Sequence, residues 1–244
     1  MRTSPVRLVA RLAQGLWWFA ATSIRVLRTA PRDGTVDYDL THRYATTLGV
    51  GWTRIFRLKH DIRNGDRLLS QQPCIYLSNH RSNLDVITMC GIMPPRAIVI
   101  GKREILPIPF LGKIFTLGGN VPINRKDLEE ARVAIELAES KLRDEGISIF
   151  VFPEGHRNYG TLLPFKKGAF HLARNTGVRL LPLVCAYPQR WMDGSRLWLA
   201  PETRVIIEVL DPIDPSAYDS VESLIAAVRE RMATALARVE AELV

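Results

Sequence analysis

The sequence contains few cysteines, and the three present form no recognisable pattern. Cys74, Cys90 and Cys185 are odd in number, widely spaced and set in apolar segments. A disulfide framework needs paired cysteines and a zinc knuckle needs closely spaced ones, so both are excluded. We expect all three to be small buried hydrophobic residues in a protein of a reducing, cytosol-facing compartment.

The N-terminal apolar run is too short to span a membrane. Residues 12–24 carry no charge, but they number only thirteen, whereas a spanning helix needs about 20 apolar residues. Trp17 and Trp18 in this run suit the headgroup region, and arginines flank it on both sides. The pattern favours an amphipathic helix lying on an anionic leaflet. A cleaved signal, for which no clear cleavage site is present, and an ordinary soluble helix remain alternatives.

Acidic residues are absent from 1–32, which hold six arginines. The remaining residues carry 27 basic and 25 acidic side chains, so the formal net charge of +8 belongs mainly to the N-terminus. Each arginine near an anionic leaflet contributes about 1 kcal/mol to binding. The nearly balanced remainder lacks a recognition motif for nucleic acid, so we expect no nucleic-acid partner.

Internal repeats, low-complexity tracts and long linkers are also lacking. With 244 residues, 47% of them hydrophobic, the chain is long enough to bury one large core. We predict an N-terminal helical membrane-association segment over 1–50 and a single main domain over 51–244.

Short apolar runs alternate with helical patterns along the main domain. Such alternation predicts an α/β domain, in which helices flank a mixed, largely parallel sheet. One predicted helix ends near Gly49. The other predicted helices cover 128–143, 167–174 and about 220–243. The predicted strands are 55–58, 74–78, 97–100, 147–152, 180–186 and 205–210.

Polar clusters follow two of these predicted strands directly. Asn79 and His80 come after 74–78, and Glu154 and Gly155 come soon after 147–152. Sites in open α/β sheets lie at the carboxyl ends of strands, so we expect the two clusters to face one crevice.

His80 and Asp85 are the candidate catalytic pair within the first cluster. Five positions on a regular helix leave two side chains roughly 140° apart, so they cannot meet on one helix. If His80 lies in the loop and Asp85 in the first turn of a helix beginning near Asn83, the carboxylate reaches the imidazole. Such pairing fixes the tautomer and leaves the other ring nitrogen as a general base.

The stretch from Asn79 to Asp85 resembles the His-x4-Asp motif of the glycerolipid acyltransferases, and further segments resemble later motifs of that family in order. The resemblance covers about residues 70–190 and is closest to the bacterial branch that acylates 1-acylglycerol-3-phosphate. The further segments are Gly119 to Arg125, Val151 to Arg157, Phe165 to Phe170 and Leu180 to Val184.

The resemblance implies acyl transfer without a covalent enzyme intermediate. His80 would deprotonate the acceptor hydroxyl, Asp85 would orient His80, and the hydroxyl would attack an acyl thioester. The sequence agrees, since it has no Gly-x-Ser-x-Gly elbow and Cys90 has no evident activating partner. We expect no cofactor, with acyl-CoA or acyl-carrier protein as co-substrate.

The resemblance also implies an acceptor site for glycerol phosphate. Arginine forks suit a phosphate, so Arg125 and Arg157 are assigned to it, with Lys102 as a weaker third group. Glu154 is expected to contact glycerol hydroxyls or to hold an arginine, with a salt bridge to Arg157 as the structural alternative. Gly155 is expected to permit a tight turn or close ligand approach.

Two positions depart from the pattern common in the family. Asn124 stands where many members have Asp, and His156 stands where Thr is common. Both bear on the headgroup of the acceptor, so Asn124 joins the candidate substrate-binding residues.

The expected activity is formation of phosphatidate from lysophosphatidate at the cytoplasmic face of the inner membrane, by a peripheral or monotopic protein. The alternatives are another acyltransferase of the same fold, acting on other lysophospholipids, glycerol 3-phosphate or lyso-aminolipids, and a non-catalytic basic binding protein. A metallohydrolase using His80, Asp85, Glu154 and His156 is a further rival. It lacks a His-Glu-x-x-His motif, so we expect no metal.

Overall fold

The computed structural model describes residues 5–124, 126–189, 192–193 and 198–243. Helices and strands alternate through most of this part of the chain. The helices are α1 (Pro5–Leu27), α2 (Tyr38–Phe56), α3 (Arg67–Ser70), α4 (Asn83–Gly91), α5 (Leu111–Leu117), α6 (Leu128–Glu145), α7 (Gly168–Thr176) and α8 (Val221–Ala241). The strands are β1 (Leu58–Arg63), β2 (Ile75–Ser78), β3 (Ala97–Lys102), β4 (Val121–Ile123), β5 (Ser148–Val151), β6 (Leu180–Ala186), β7 (Met192–Asp193), β8 (Trp198–Leu199) and β9 (Thr203–Val209).

Seven of these strands form one sheet in the order β1-β9-β6-β2-β5-β3-β4. The five strands from β6 to β4 run parallel to one another, while β9 is antiparallel to β6 and parallel to β1. The predicted α/β fold with a mixed, largely parallel sheet is therefore confirmed. The carboxyl ends of β6, β2 and β5, which are neighbours, meet at one edge of the sheet.

The central strands are buried on both faces, as parallel strands covered by helices must be. In β2, Ile75 and Leu77 point into a core that includes Val228 of α8, whereas Tyr76 points into a second core with Leu84 of α4. This alternation follows from the two-residue period of a strand. The sheet is thus the middle of three layers, and its site edge is held from both sides.

Helix α2 differs from the prediction because its glycines serve close packing and do not end the helix. A Cβ on Gly49 would lie 2.4 Å from the backbone nitrogen of Gly91, and one on Gly51 would overlap the Trp18 ring. The helix continues to Phe56 and ends where Arg57 adopts a left-handed conformation. The predicted strand 55–58 is therefore wrong except at Leu58, where β1 begins.

The predicted boundary between 50 and 51 consequently lies inside α2. Strand β4 was not predicted, because it has only three residues and includes Pro122, which weakens the strand pattern. It lies at the edge of the sheet, where proline is tolerated. All three cysteines are free thiols, with Cys74 and Cys185 buried as expected and Cys90 partly buried.

Helix α1 is attached to the domain along one face and exposes apolar side chains on another. Its Gly15 carbonyl accepts a hydrogen bond from Trp52 Nε1 at 3.1 Å, and Leu8 is buried in the second core, with Tyr76 and Leu84. In contrast, Leu16 and Trp17 are 70% and 68% exposed. Of the described helices, none has the length and apolarity needed to cross a bilayer.

Replacement of Gly49 by alanine tests the contact between α2 and α4. We expect Gly49→Ala to lower the free energy of unfolding by about 1–3 kcal/mol, because the added methyl group has no space beside the Gly91 backbone. Thermal unfolding would show a Tm lower by several degrees.

Gly15→Ala is the matched control, since Gly15 is also helical but its added Cβ would meet only side-chain atoms, with the Phe56 ring at 3.4 Å and Trp52 Nε1 at 3.5 Å. Alanine gains helix propensity there, so its Tm should stay equal or rise. An equal Tm for Gly49→Ala and the original protein would contradict the close packing.

Candidate active site

The loop after β2 is fixed by Asn79 before it reaches His80. The Asn79 side chain is buried and donates from Nδ2 to the Cys185 carbonyl at 2.9 Å, while its Oδ1 accepts the Cys185 N–H at 2.8 Å. The side-chain amide of Asn79 thus takes the place of a backbone hydrogen-bonding partner for Cys185 in β6. His80 therefore leaves the sheet edge in a defined direction.

Helix α4 begins with a capping box that places Asp85. Ser82 is the N-cap, and its Oγ accepts the Leu84 N–H at 3.0 Å. The side chain of Asp85, three residues later, accepts the Ser82 N–H at 2.7 Å. Ser-x-x-acid is the sequence signature of this cap, so the local sequence holds the Asp85 carboxylate at the start of the helix.

The predicted contact between the loop histidine and the helix aspartate is confirmed. His80 Nδ1 lies 3.0 Å from Asp85 Oδ2, which also accepts the Arg81 N–H at 2.5 Å. The Asp85 side chain is fully buried, and that of His80 is 12% exposed. An ionised Asp85 requires a proton on Nδ1, which leaves Nε2 with its lone pair. Nε2 makes no hydrogen bond to the described residues.

Tyr187, which the sequence reasoning missed, completes the environment of Asp85. Its hydroxyl donates to Asp85 Oδ1 at 2.8 Å and lies 2.7 Å from Ser82 Oγ. Because that proton points to Asp85, Ser82 is the donor in the second contact. Burial, followed by the charge of Asp85, raises the pKa of Tyr187 and keeps its phenol protonated. The available signal was its position immediately after β6.

Phe152, the residue that follows β5, supports the imidazole ring. The rings of His80 and Phe152 stack with centroids 4.1 Å apart and an interplanar angle of 18°. The histidine is therefore held in place through both its ring edge and its ring face.

Glu154 holds the His80 loop from β5. Its Oε1 accepts the His80 N–H at 2.7 Å and its Oε2 accepts the Leu163 N–H at 2.8 Å, with the residue only 3% exposed. Burial raises the pKa of Glu154, and the two backbone donors oppose that rise. The structure shows no Glu154–Arg157 pair. Glu154 therefore makes a positioning contact with the His80 loop, and its expected contact with glycerol hydroxyls stays a prediction.

The turn after β5 brings Arg157 beside the pair. Gly155 has φ +74°, so the predicted tight turn is confirmed and requires glycine for its conformation. The Asn158 N–H donates to the His80 carbonyl at 2.9 Å, which places the preceding Arg157 next to His80 along the backbone. Arg157 is exposed and makes no ion pair with the described residues.

Lys102 and Asn124 lie farther along the same edge. Strands β3 and β4 pair Lys102 with Ile123, so Asn124 follows at the neighbouring strand end. Asn124 also lines a cavity of about 380 Å³ with Arg103 and Leu106. Arg125, the other predicted phosphate ligand, lies outside the described residues.

A family model described as Acyltransferase matches residues 59–186, a range that includes His80, Asp85 and Glu154. The chain belongs to this acyltransferase family. Its relatives include 1-acyl-sn-glycerol-3-phosphate acyltransferases of Escherichia coli and Haemophilus influenzae. The first is 36% identical over 206 residues, covering 82% of this chain and 83% of the relative. The second is 34% identical over 190 residues, covering 77% of each.

A crystal structure of a 1-acyl-sn-glycerophosphate (LPA) acyltransferase from Thermotoga maritima has the same fold. It aligns with a TM-score of 0.74 at 21% identity and covers 96% of this chain and 97% of its own. This likeness in fold extends through nearly the whole chain.

Two rival chemistries fit this acyltransferase poorly. Among the described side chains, no group of three or more His, Cys, Asp or Glu could hold a metal ion, and Glu154 is committed to backbone donors. Burial raises the pKa of the Cys90 thiol to about 12, so it is not poised as a thiolate nucleophile.

Tyr187→Phe tests whether the phenol positions the catalytic pair. Loss of a hydrogen bond to a buried carboxylate should lower kcat about tenfold while changing KM little. Asp85 then has one donor fewer and attracts the His80 proton more strongly. The acidic limb of the kcat/KM–pH profile should move to higher pH.

Tyr76→Phe is the matched control, because the Tyr76 hydroxyl is also buried but donates to the Leu68 carbonyl, away from the pair. It should leave the pH profile unmoved. If both variants shared an unmoved profile, Tyr187 would have only a structural role.

Proposed function

We propose that this acyltransferase moves a fatty acyl group from an acyl thioester to the free sn-2 hydroxyl of 1-acylglycerol-3-phosphate, giving phosphatidate for phospholipid biosynthesis. The observation that carries the proposal is the His80 imidazole, bound through Nδ1 to a buried carboxylate with Nε2 available as a base. The names of the bacterial relatives support this acceptor.

The reaction proceeds by direct attack. His80 Nε2 accepts the proton of the acceptor hydroxyl, and the oxygen attacks the thioester carbonyl carbon. This attack forms the C–O bond and gives a tetrahedral adduct. Collapse of the adduct restores the carbonyl and breaks the C–S bond, and the leaving thiolate takes the proton from His80. Asp85 offsets the positive charge of the imidazolium throughout, as in other histidine–carboxylate pairs.

The acceptor phosphate is assigned to cations at the rim of the site. Arg157 is exposed beside the His80 backbone, and Lys102 is exposed at the end of β3. Arg125 joins them on sequence grounds, and Asn124 contributes an amide. Such charged donors bind a phosphate monoester more strongly than they bind a neutral hydroxyl group.

The co-substrate is acyl-CoA or acyl-carrier protein, and the reaction needs no cofactor or metal because the thioester is already activated. The enzyme acts as a peripheral or monotopic protein on the anionic, cytoplasmic face of the inner membrane. Support comes from α1, whose exposed face bears Leu16 and Trp17 in an arginine-rich segment.

Purified protein supplied with lysophosphatidate and each acyl donor should form phosphatidate, identified by mass spectrometry. His80→Ala should lower kcat by about 10²–10⁴-fold, because the base is lost. Arg157→Ala should instead act mainly on KM for lysophosphatidate.

A panel of other acceptors tests which lipid is the substrate, independently of the mechanism of acyl transfer. Lysophospholipids with substituted phosphates and glycerol 3-phosphate should be poorer acceptors. Equal turnover by His80→Ala would reject the mechanism, and preference for another acceptor would reject lysophosphatidate alone.

Leu16→Ser with Trp17→Ser tests the membrane contact of α1. We expect weaker sedimentation with anionic vesicles and an unchanged Tm, because both side chains are mostly exposed. Leu128→Ser, at an 86% exposed position of α6, is the control and should sediment like the original protein. Unaltered vesicle binding in the double variant would exclude this face of α1 as a lipid contact.

A further inference from the structure

The segment between β3 and α5 carries a row of exposed apolar side chains. Leu106, Ile108 and Phe110 are 38%, 41% and 42% exposed, and prolines alternate with them at 107 and 109. We refer to residues 105–110 as the apolar tip. Apolar groups clustered in this way on a surface mark contact with lipid or with another protein.

The backbone of the apolar tip is tightly folded where it meets α5. Phe110 has φ +65° and ψ −48°, and the Leu111 N–H donates to the Pro109 carbonyl at 2.7 Å. This is a three-residue γ-turn of the rare, strained form. A Cβ on Gly112 would lie 1.9 Å from the Leu106 carbonyl oxygen, so the segment folds tightly back on α5.

The apolar tip lies at the same sheet edge as the catalytic pair. Strand β3 runs parallel to β2 with only β5 between them, and its carboxyl end at Lys102 leads directly into the tip. Two strand spacings amount to about 10 Å. A surface that touches the tip therefore lies beside the crevice that receives the acceptor.

The charges around the apolar tip match an anionic surface. Residues 101–113 contain Lys102, Arg103 and Lys113 against one acid, Glu104. Lys102 and Lys113 are exposed, whereas Arg103 is paired with Glu130 at 2.8 Å. Apolar side chains between exposed lysines fit the boundary between acyl chains and anionic headgroups.

Packing also connects the apolar tip to α1. Leu111 and Leu117 of α5 contact the same hydrophobic cluster as Trp18 and Phe19 of α1. If α1 were the one contact with the membrane, the protein could still rotate about the axis of that helix. A second apolar contact on a rigidly joined segment removes that freedom.

We propose that the apolar tip inserts Leu106, Ile108 and Phe110 into an anionic leaflet as a second lipid contact, which turns the site edge of the sheet toward the bilayer. The inference deepens the proposed function and rests on it for the lipid nature of the acceptor. Insertion itself requires neither acceptor nor acyl donor, so it can be tested without the reaction.

Ile108→Cys, labelled with a polarity-sensitive fluorophore in the full-length protein, reports the environment of the tip. On vesicles of phosphatidylglycerol and phosphatidylethanolamine, without substrates, its emission should shift to shorter wavelength. Labelled Val133→Cys, at a 58% exposed position of α6, should not shift. Labelled original protein gives the background from Cys74, Cys90 and Cys185.

Leu106→Ser with Ile108→Ser should weaken vesicle affinity about tenfold, whereas Val133→Ser with Leu137→Ser should not. An unshifted label on vesicle-bound protein would overturn the proposal. So would a shift produced only by acidic acyl-carrier protein, which would assign the tip to the donor. Insertion without phosphatidate formation would reject the proposed function and leave the tip contact standing.

Discussion

The buried negative charge of Asp85 is the constraint on which the rest of the site depends. A carboxylate removed from water costs several kcal/mol unless donors surround it. Here the donors are the Arg81 and Ser82 N–H groups, the His80 ring and the Tyr187 hydroxyl. None of them can move away without leaving that charge exposed to an apolar core. The interaction that caps α4 therefore also fixes the catalytic base.

The parallel sheet extends this constraint across three strands. Tyr187 follows β6, His80 follows β2, and Glu154 follows β5, so their neighbouring carboxyl ends bring them together. Carboxylates are buried beneath the histidine, whereas Arg157 and Lys102 are exposed at the rim. The inner charges hold a base in place, and the outer ones suit an anionic acceptor that arrives from outside.

How much the sequence could predict depended on the distance between partners along the chain. The contact from His80 to Asp85 spans five residues and was readable from a loop followed by a cap. The contacts from Glu154 to His80 and from Tyr187 to Asp85 span 74 and 102 residues. They require the strand order β6-β2-β5, which alternating patterns do not determine. The contact from Glu154 to His80 was therefore not predicted, and Tyr187 was missed.

The predicted end of α2 was wrong for a related reason, because contacts between distant helices decide where that helix ends. Gly49 in α2 was predicted to be the end of a helix, because glycine has low helix propensity, and Gly51 follows two residues later. Their missing side chains instead admit the Gly91 backbone and the Trp18 ring, so α1, α2 and α4 pack closely. Helix α4 carries Asp85 in its first turn. The helix that presents apolar groups to the outside is thus mechanically joined, through two glycine contacts, to the helix that orients the base.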